Sequence, residues 1–277
     1  MAARPPKWLI LTGVAVLAGG AAILGPRLFG PQRAVAPAPA VRRTPRAITS
    51  PSAFDPTIEI DAPTTSRPGG GTAFSVSPGG VWLTARHVVE GCARTAIVVG
   101  PGQGVAAEVR IDPRGETAVL ITQGGAPALP LAPRTALRRG MTAFHPGFPH
   151  GRPGEVASRL LRRETLVMRG RRSRRESVLA WTEADSIGVS GRSLAGLSGA
   201  PALDSAGQVI GVTIAQAPRR GRVYTTSPAA LHAALARVHV ETATGAKAAP
   251  MNEETYGRAS NALRRDLRVV PVVCLPA

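Results

Sequence analysis

Apolar residues along this chain come mostly in short runs of four to seven, broken by clusters of Gly, Pro, Asp and Ser. Gly71-Thr72-Ala73-Phe74-Ser75-Val76 and Val81-Trp82-Leu83-Thr84 flank the turn Ser77-Pro78-Gly79-Gly80, and Gln208-Val209-Ile210-Gly211-Val212-Thr213 follows Asp204-Ser205-Ala206-Gly207. β-Branched runs bounded by turn residues predict strands, and many of them at short spacing predict an all-β barrel or sandwich architecture. Three segments depart from that pattern. Pro228–Ala236 has helical spacing with proline in its first turn, and Met251–Leu267 is a second helix, with Arg258, Arg264 and Arg265 expected on its polar side. The third is the uncharged run from Trp8 to Pro26, which as a helix would be ~28 Å long, about the thickness of a bilayer core.

Arg4 and Lys7 precede that run, so the short tail is expected to stay cytoplasmic and the remainder to be exported. The reading is an uncleaved signal anchor within residues 1–30. A cleaved signal peptide is the alternative, because Ala34-Val35-Ala36 and Ala36-Pro37-Ala38 resemble small-residue cleavage sites. The Pro/Ala/Arg-rich stretch at 31–55 has no apolar period and reads as an extended tether. The folded body is expected over 56–240 and a tail, with a helix and the strand Val269–Val273, over 241–277.

The candidate chemistry lies in three stretches: Thr84-Ala85-Arg86-His87-Val88-Val89, Glu116-Thr117-Ala118-Val119-Leu120 and Gly196-Leu197-Ser198-Gly199-Ala200-Pro201. Serine is a weak nucleophile unless a base takes its proton, an acid orients that base, and backbone amides receive the developing oxyanion. His87 ends a strand-like run, and the glycines around Ser198 free the backbone to aim the amides of Gly196 and Ser198 at one point. The order His, acid, Ser excludes the α/β-hydrolase reading of Gly196-Leu197-Ser198-Gly199-Ala200, whose acid and histidine follow the serine.

Together with Phe144-His145-Pro146-Gly147-Phe148-Pro149-His150-Gly151, these stretches resemble the trypsin-like serine proteases of the HtrA-like branch, over about Gly71 to Leu235. The resemblance implies two packed six-stranded antiparallel β-barrels of chymotrypsin type. It also implies a serine endopeptidase acting through an acyl-enzyme, with His87 as base, Glu116 as orienting acid, Ser198 as nucleophile, and Gly196 and Ser198 as oxyanion donors. Polypeptide is the implied substrate and no cofactor is needed. The primary pocket falls on the strand Thr213–Ala217, with Ile214, Ala215 and Gln216 as its small, apolar walls. Arg192 and Arg222 stand near enough in sequence to reach its floor or mouth, and no acid lies in 190–195 to favour Arg or Lys substrates. The stretch Met251–Leu267 is too short for a PDZ domain.

Three positions depart from the family pattern. Glu116 stands where the family has Asp, with Asp112 as the other nearby carboxylate; Leu197 replaces Asp or Asn; Ala200 replaces glycine. The first two leave open a second class of function, a weakly active or inactive peptide-binding module on the same fold.

Cys92 and Cys274 are the only cysteines. In an exported chain an even count invites a disulfide, which would staple the tail beside His87; two buried thiols are the other reading. Two distant cysteines and scattered histidines form no metal set. A net charge of +17 ordinarily suggests nucleic acid. Here the bias is almost wholly arginine, and aromatics at 4% are too few for base stacking, so no nucleic-acid partner is expected. The densest basic run, 162–175, reads as a hairpin with an arginine-loaded tip. The expected location is the inner membrane, held by residues 8–26, with the body in the periplasm; a soluble periplasmic protein is the alternative.

Overall fold

The structure, a computed structural model, describes residues 46–61, 69–133, 137–169, 173–191, 193–240, 242 and 249–275. The expected anchor at 8–26, the tether up to 45, and Arg192 lie outside the described residues. Among the described residues no helix is long and apolar enough to cross a membrane.

After the short strand β1 (Thr57–Asp61), the chain forms β2 (Gly69–Ser77), β3 (Val81–Ala85), helix α1 (Arg86–Val89), β4 (Arg94–Gly100), β5 (Gln103–Ile111) and β6 (Thr117–Ile121). The second half contributes β7 (Thr142–Gly147), β8 (Gly154–Arg169), β9 (Arg174–Ile187), β10 (Pro201–Leu203), β11 (Val209–Ala217) and β12 (Arg222–Thr225). Helices α2 (Pro228–Arg237) and α3 (Tyr256–Arg265) precede the last strand, β13 (Val269–Leu275).

Two closed barrels result. The first runs β13-β2-β3-β6-β5-β4, and the second β8-β7-β10-β11-β12-β9, closed by β8 against β9, with β1 added in parallel along β8. The expected all-β, two-barrel architecture is therefore present. The strand beyond residue 240 is an integral stave of the first barrel. β13 pairs with β2 along one edge (Val270 with Ala73) and β4 along the other (Val272 with Ile97). Val269, Val270, Val272 and Cys274 are buried, so without β13 the apolar faces of β2 and β4 would open to water.

Cys92 and Cys274 form a disulfide, with Cα atoms 5.4 Å apart. The bridge spans 182 residues of sequence, and on the chain-entropy view closing so long a loop contributes roughly 5 kcal/mol. It ties β13 to the loop that follows α1.

Each barrel is filled by alternating side chains. Trp181, Leu160, Leu179, Ile210 and Val223 pack the second, and Phe74, Leu83, Ile97 and Leu120 the first. Both buried indoles are satisfied: Trp181 Nε1 donates to Thr225 Oγ1 and Trp82 Nε1 to Thr122 Oγ1, each at 2.9 Å. α2 is capped by Ser227, whose hydroxyl accepts from the Ala230 amide at 3.2 Å. α3 is shorter than the sequence suggests, because Asn252 caps a turn by accepting the amides of Glu254 and Thr255. Arg264, expected on the polar face of α3, is instead turned inward. It bonds Glu155 Oε2 at 2.5 Å and the Gly154 carbonyl at 2.6 Å, and lies over the ring of Phe148. Arginine has five donors and a flat apolar face, so it can leave a helix's solvent face when a buried carboxylate and a ring both wait for it.

Candidate active site

The β3–β6 ladder brings the first two residues together. Thr84 opposes Ala118 and Ala85 opposes Thr117, and one step further the Arg86 amide donates to the Glu116 carbonyl at 2.9 Å. α1 begins there, so His87 leaves the barrel rim beside Glu116. His87 Nδ1 lies 3.7 Å from Glu116 Oε2; the histidine side chain is 19% exposed and the glutamate 2%. Among the described residues neither of these two atoms has a hydrogen-bond partner, although both are buried. The second oxygen of Glu116 is held by Arg174, whose Nε donates to Oε1 at 3.0 Å.

Asp112, the other candidate acid, is committed elsewhere. Arg237 on α2 grips both its oxygens, at 2.7 and 2.5 Å, and the Arg114 amide donates to Oδ1 at 3.0 Å. Both oxygens are thus engaged in one bidentate pair.

Ser198 arrives from the second barrel, on the loop between β9 and β10. The Ser198 carbonyl accepts the Thr72 amide at 2.8 Å, and the Gly196 carbonyl accepts Thr72 Oγ1 at 2.8 Å. Gly199, at φ 88°, presses so closely on the first barrel that a Cβ there would lie 1.9 Å from the Thr72 carbonyl oxygen and 2.3 Å from Thr84 Oγ1. That contact sets the serine loop against the end of β3, where His87 begins. Only glycine combines this φ with this approach.

Leu197 and Gly199 spend their amides on the carbonyls of Leu194 (2.8 Å) and Thr213 (2.7 Å). The amides of Gly196 and Ser198 make no hydrogen bond among the described residues. Gly196, at φ 93°, sits where a Cβ would meet the Phe148 carbonyl oxygen at 2.5 Å. Leu197, where an ion-pairing residue was the family expectation, is 1% exposed within the core of the second barrel, so an apolar plug takes the place of a charge.

Beside Ser198 opens a cavity of ≈160 Å³, lined by Leu194, Leu197, Thr213, Ala215, Gln216 and Val223 among others. Of the expected walls, Ala215 and Gln216 are in place. Ile214 is not: it is 1% exposed and belongs to the apolar core, because alternation along β11 turns it to the other side of the sheet. Gln216 Oε1 accepts the Leu194 amide at 2.5 Å, which joins the two walls. Arg222 is absent from the lining; its guanidinium donates to Thr182 Oγ1 at 2.7 Å, and its neighbour Val223 faces the cavity instead.

Several supporting groups carry no local sequence signal. His150, at φ 52°, donates its amide to the Ala195 carbonyl at 2.6 Å and sets Nε2 2.9 Å from the Ser193 carbonyl, bracing the serine loop. His145 is fully buried between Thr213 Oγ1 (2.9 Å) and Ser158 Oγ (2.7 Å), and burial lowers its pKa to about 3, so it is a neutral core residue. Glu176 accepts the Glu116 amide at 2.7 Å. Its carboxyl is pushed up to about 7, chiefly by burial, with the charges of Glu116 and Asp112 adding to it. Arg174 belongs to the basic run at 162–175 that reads in sequence as a solvated hairpin, and Glu176 lies just beyond it. Among the described residues no cluster of His, Cys, Asp and Glu is suited to a metal ion.

Residues 71–212 match the trypsin-like peptidase domain, about half of the chain. No curated protein matches the sequence. Among solved structures, the active form of the Rv3671c protease from M. tuberculosis is 20% identical, over 72% of this chain and 96% of that one, with a TM-score of 0.54. The inactive form of the Rv3671c protease is 22% identical over 61% of this chain and 83% of that one, at 0.50. The HtrA-type protease AlgW, solved with a decapeptide, is 21% identical over 61% of this chain and 51% of that one, at 0.49. The chain belongs to the trypsin-like peptidase family and is a serine-type endopeptidase.

Proposed function

We propose that this peptidase cleaves polypeptides through an acyl-enzyme on Ser198, with His87 as general base and acid and Glu116 as the carboxylate that orients it. The observation that carries the reading is the pairing of His87 Nδ1 with Glu116 Oε2: two buried atoms, with no other partner among the described residues, facing each other at 3.7 Å, while Asp112 is occupied by Arg237. With Nδ1 turned to the acid, Nε2 is left for the serine. Ser198 Oγ attacks the peptide carbonyl as its proton passes to Nε2. The oxyanion is received by the amides of Gly196 and Ser198, and collapse breaks the C–N bond as Nε2 returns the proton to the leaving amine. Water then repeats the sequence on the ester. Apo triads are often loose and tighten on substrate binding, so a gap of 3.7 Å is compatible with function.

The cavity beside Ser198 favours a small or medium apolar side chain, since Ala215, Val223, Leu194 and Leu197 supply its surface and no described carboxylate lines it. The apolar run at 8–26 with its basic flank supports a place in the cell envelope, with the barrels on the periplasmic side.

The test is covalent labelling with a fluorophosphonate probe, comparing wild type with Ser198→Ala and His87→Ala. An adduct on Ser198 that requires His87 is expected. The same length of contact that fits a loose triad also fits a peptide-binding module without catalysis, and an unlabelled, correctly folded wild type with retained peptide binding would favour that module instead.

A further inference from the structure

Arg174 is the first residue of β9, in the second barrel, yet its guanidinium reaches the acid of the first. It donates to Glu116 Oε1 at 3.0 Å, and its terminal nitrogen also lies 3.3 Å from Glu90 Oε2. Glu90 is in turn held by Arg86 at 2.6 Å. The row Arg86, Glu90, Arg174, Glu116 therefore alternates in charge, and each member is fixed by its neighbour. The Arg86 bond and the Arg174 charge both lower the pKa of Glu90. Arg174 is 18% exposed on its side chain, so its pairing with the 2% exposed Glu116 is little screened by solvent. Two residues along the same strand, Glu176 fixes the Glu116 backbone by accepting its amide.

A glutamate has one more rotatable bond than an aspartate, so its carboxylate has more ways to turn. With one oxygen tied to Arg174, the other is left directed at His87, and it has no other partner among the described residues. We infer that Arg174 is a positioning residue of the site, clamping Glu116 from the second barrel so that its free oxygen orients His87. The inference rests on Glu116 being the triad acid. It explains how a longer acid serves here: the added reach is taken up by an anchor on the opposite barrel. It also makes the site dependent on the β8–β9 hairpin, since the acid is oriented only while that hairpin is docked.

The experiment uses the purified full chain with ¹³Cε1-labelled histidine. The imidazole of His87, assigned with His87→Asn, is titrated by NMR in wild type, Arg174→Met and Arg174→Lys, and fluorophosphonate labelling rates are measured in parallel. If Arg174 positions Glu116, Arg174→Met releases the carboxylate. The His87 midpoint then falls by about half a pH unit or more, labelling slows by about 10- to 100-fold, and Arg174→Lys recovers part of both. Removal of a nearby positive charge without loss of position would raise the midpoint instead. A raised or unchanged midpoint with wild-type labelling therefore overturns the clamp while leaving the triad standing. A His87 midpoint that is insensitive to Glu116→Gln overturns the triad reading itself and the clamp with it. Should Arg174→Met unfold, the lysine variant decides alone: it keeps the charge but not the planar fork, so positioning predicts slower labelling, and a rate equal to wild type refutes it.

Discussion

Glu176 makes the stability of this protein depend on pH in a direction opposite to that of most carboxylates. Its folded pKa of about 7 stands above the ordinary 4.5. Below 4.5 both folded and unfolded chains carry the proton and the group contributes no pH dependence. Between 4.5 and 7 the unfolded chain ionises first, so the unfolded state gains and stability falls as pH rises; above 7 the loss is complete. The interval corresponds to roughly 3 kcal/mol as an upper figure. Glu116, Asp112 and Arg237 all act on the group, and Arg174 lies in the same small cleft. Glu176→Gln removes the ionisation but keeps an oxygen able to accept the Glu116 amide. The variant should match wild type near pH 4 and exceed it by about 2–3 kcal/mol near pH 8. Urea unfolding followed by the fluorescence of the buried Trp82 and Trp181, at intervals of one pH unit, reads this directly. Stability curves that run parallel for the two proteins across this window, or a variant less stable at high pH, would refute the reasoning.

Four further predictions rest on particular contacts. Asp112→Asn loses the Arg237 pair and should cost about 2–4 kcal/mol of stability while leaving the fluorophosphonate labelling rate within a few-fold of wild type. Glu116→Gln should slow labelling by about 10³-fold or more, and the reverse ranking of the two variants would move the acid to Asp112. His145 stays neutral in the fold at a pKa of about 3, against about 6.5 when unfolded, so acidification from pH 6.5 to 3 protonates the unfolded chain first and costs about 4–5 kcal/mol. His145→Asn carries a constant packing cost, and its deficit relative to wild type should shrink over that interval in acid-unfolding curves. Gly199→Ala places a Cβ 1.9 Å from a backbone oxygen at a φ of 88°, and should reduce labelling at least about 10²-fold; wild-type labelling would mean the serine loop tolerates displacement.

Where a signal is local, the sequence carried it. Strands β2, β3 and β11, the α2 helix with its leading proline, and the turns between them follow from runs of β-branched residues and from Gly and Pro, whose backbone preferences act within a few residues. The His, Glu and Ser motifs were legible because each is a short pattern with a backbone requirement of its own. Ala215 and Gln216 line the cavity, whereas Ile214 turns into the core, because neighbouring residues of a strand point to opposite faces.

Long-range pairing decided the rest. Two cysteines 182 residues apart name a bridge only when β13 is known to lie between β2 and β4, which brings Cα atoms to 5.4 Å. Glu116 is the favoured acid in the sequence and Asp112 the other candidate; their different partners, Arg174 from β9 and Arg237 from α2, each arrive from far along the chain. An arginine in a basic run looks solvated because its composition says nothing about which carboxylate lies opposite. Charge pairing depends on the inverse of distance, and distance between two barrels is set by the folded packing of both. The motifs thus name the candidate groups, while the docking of one barrel on the other sets which of them face each other.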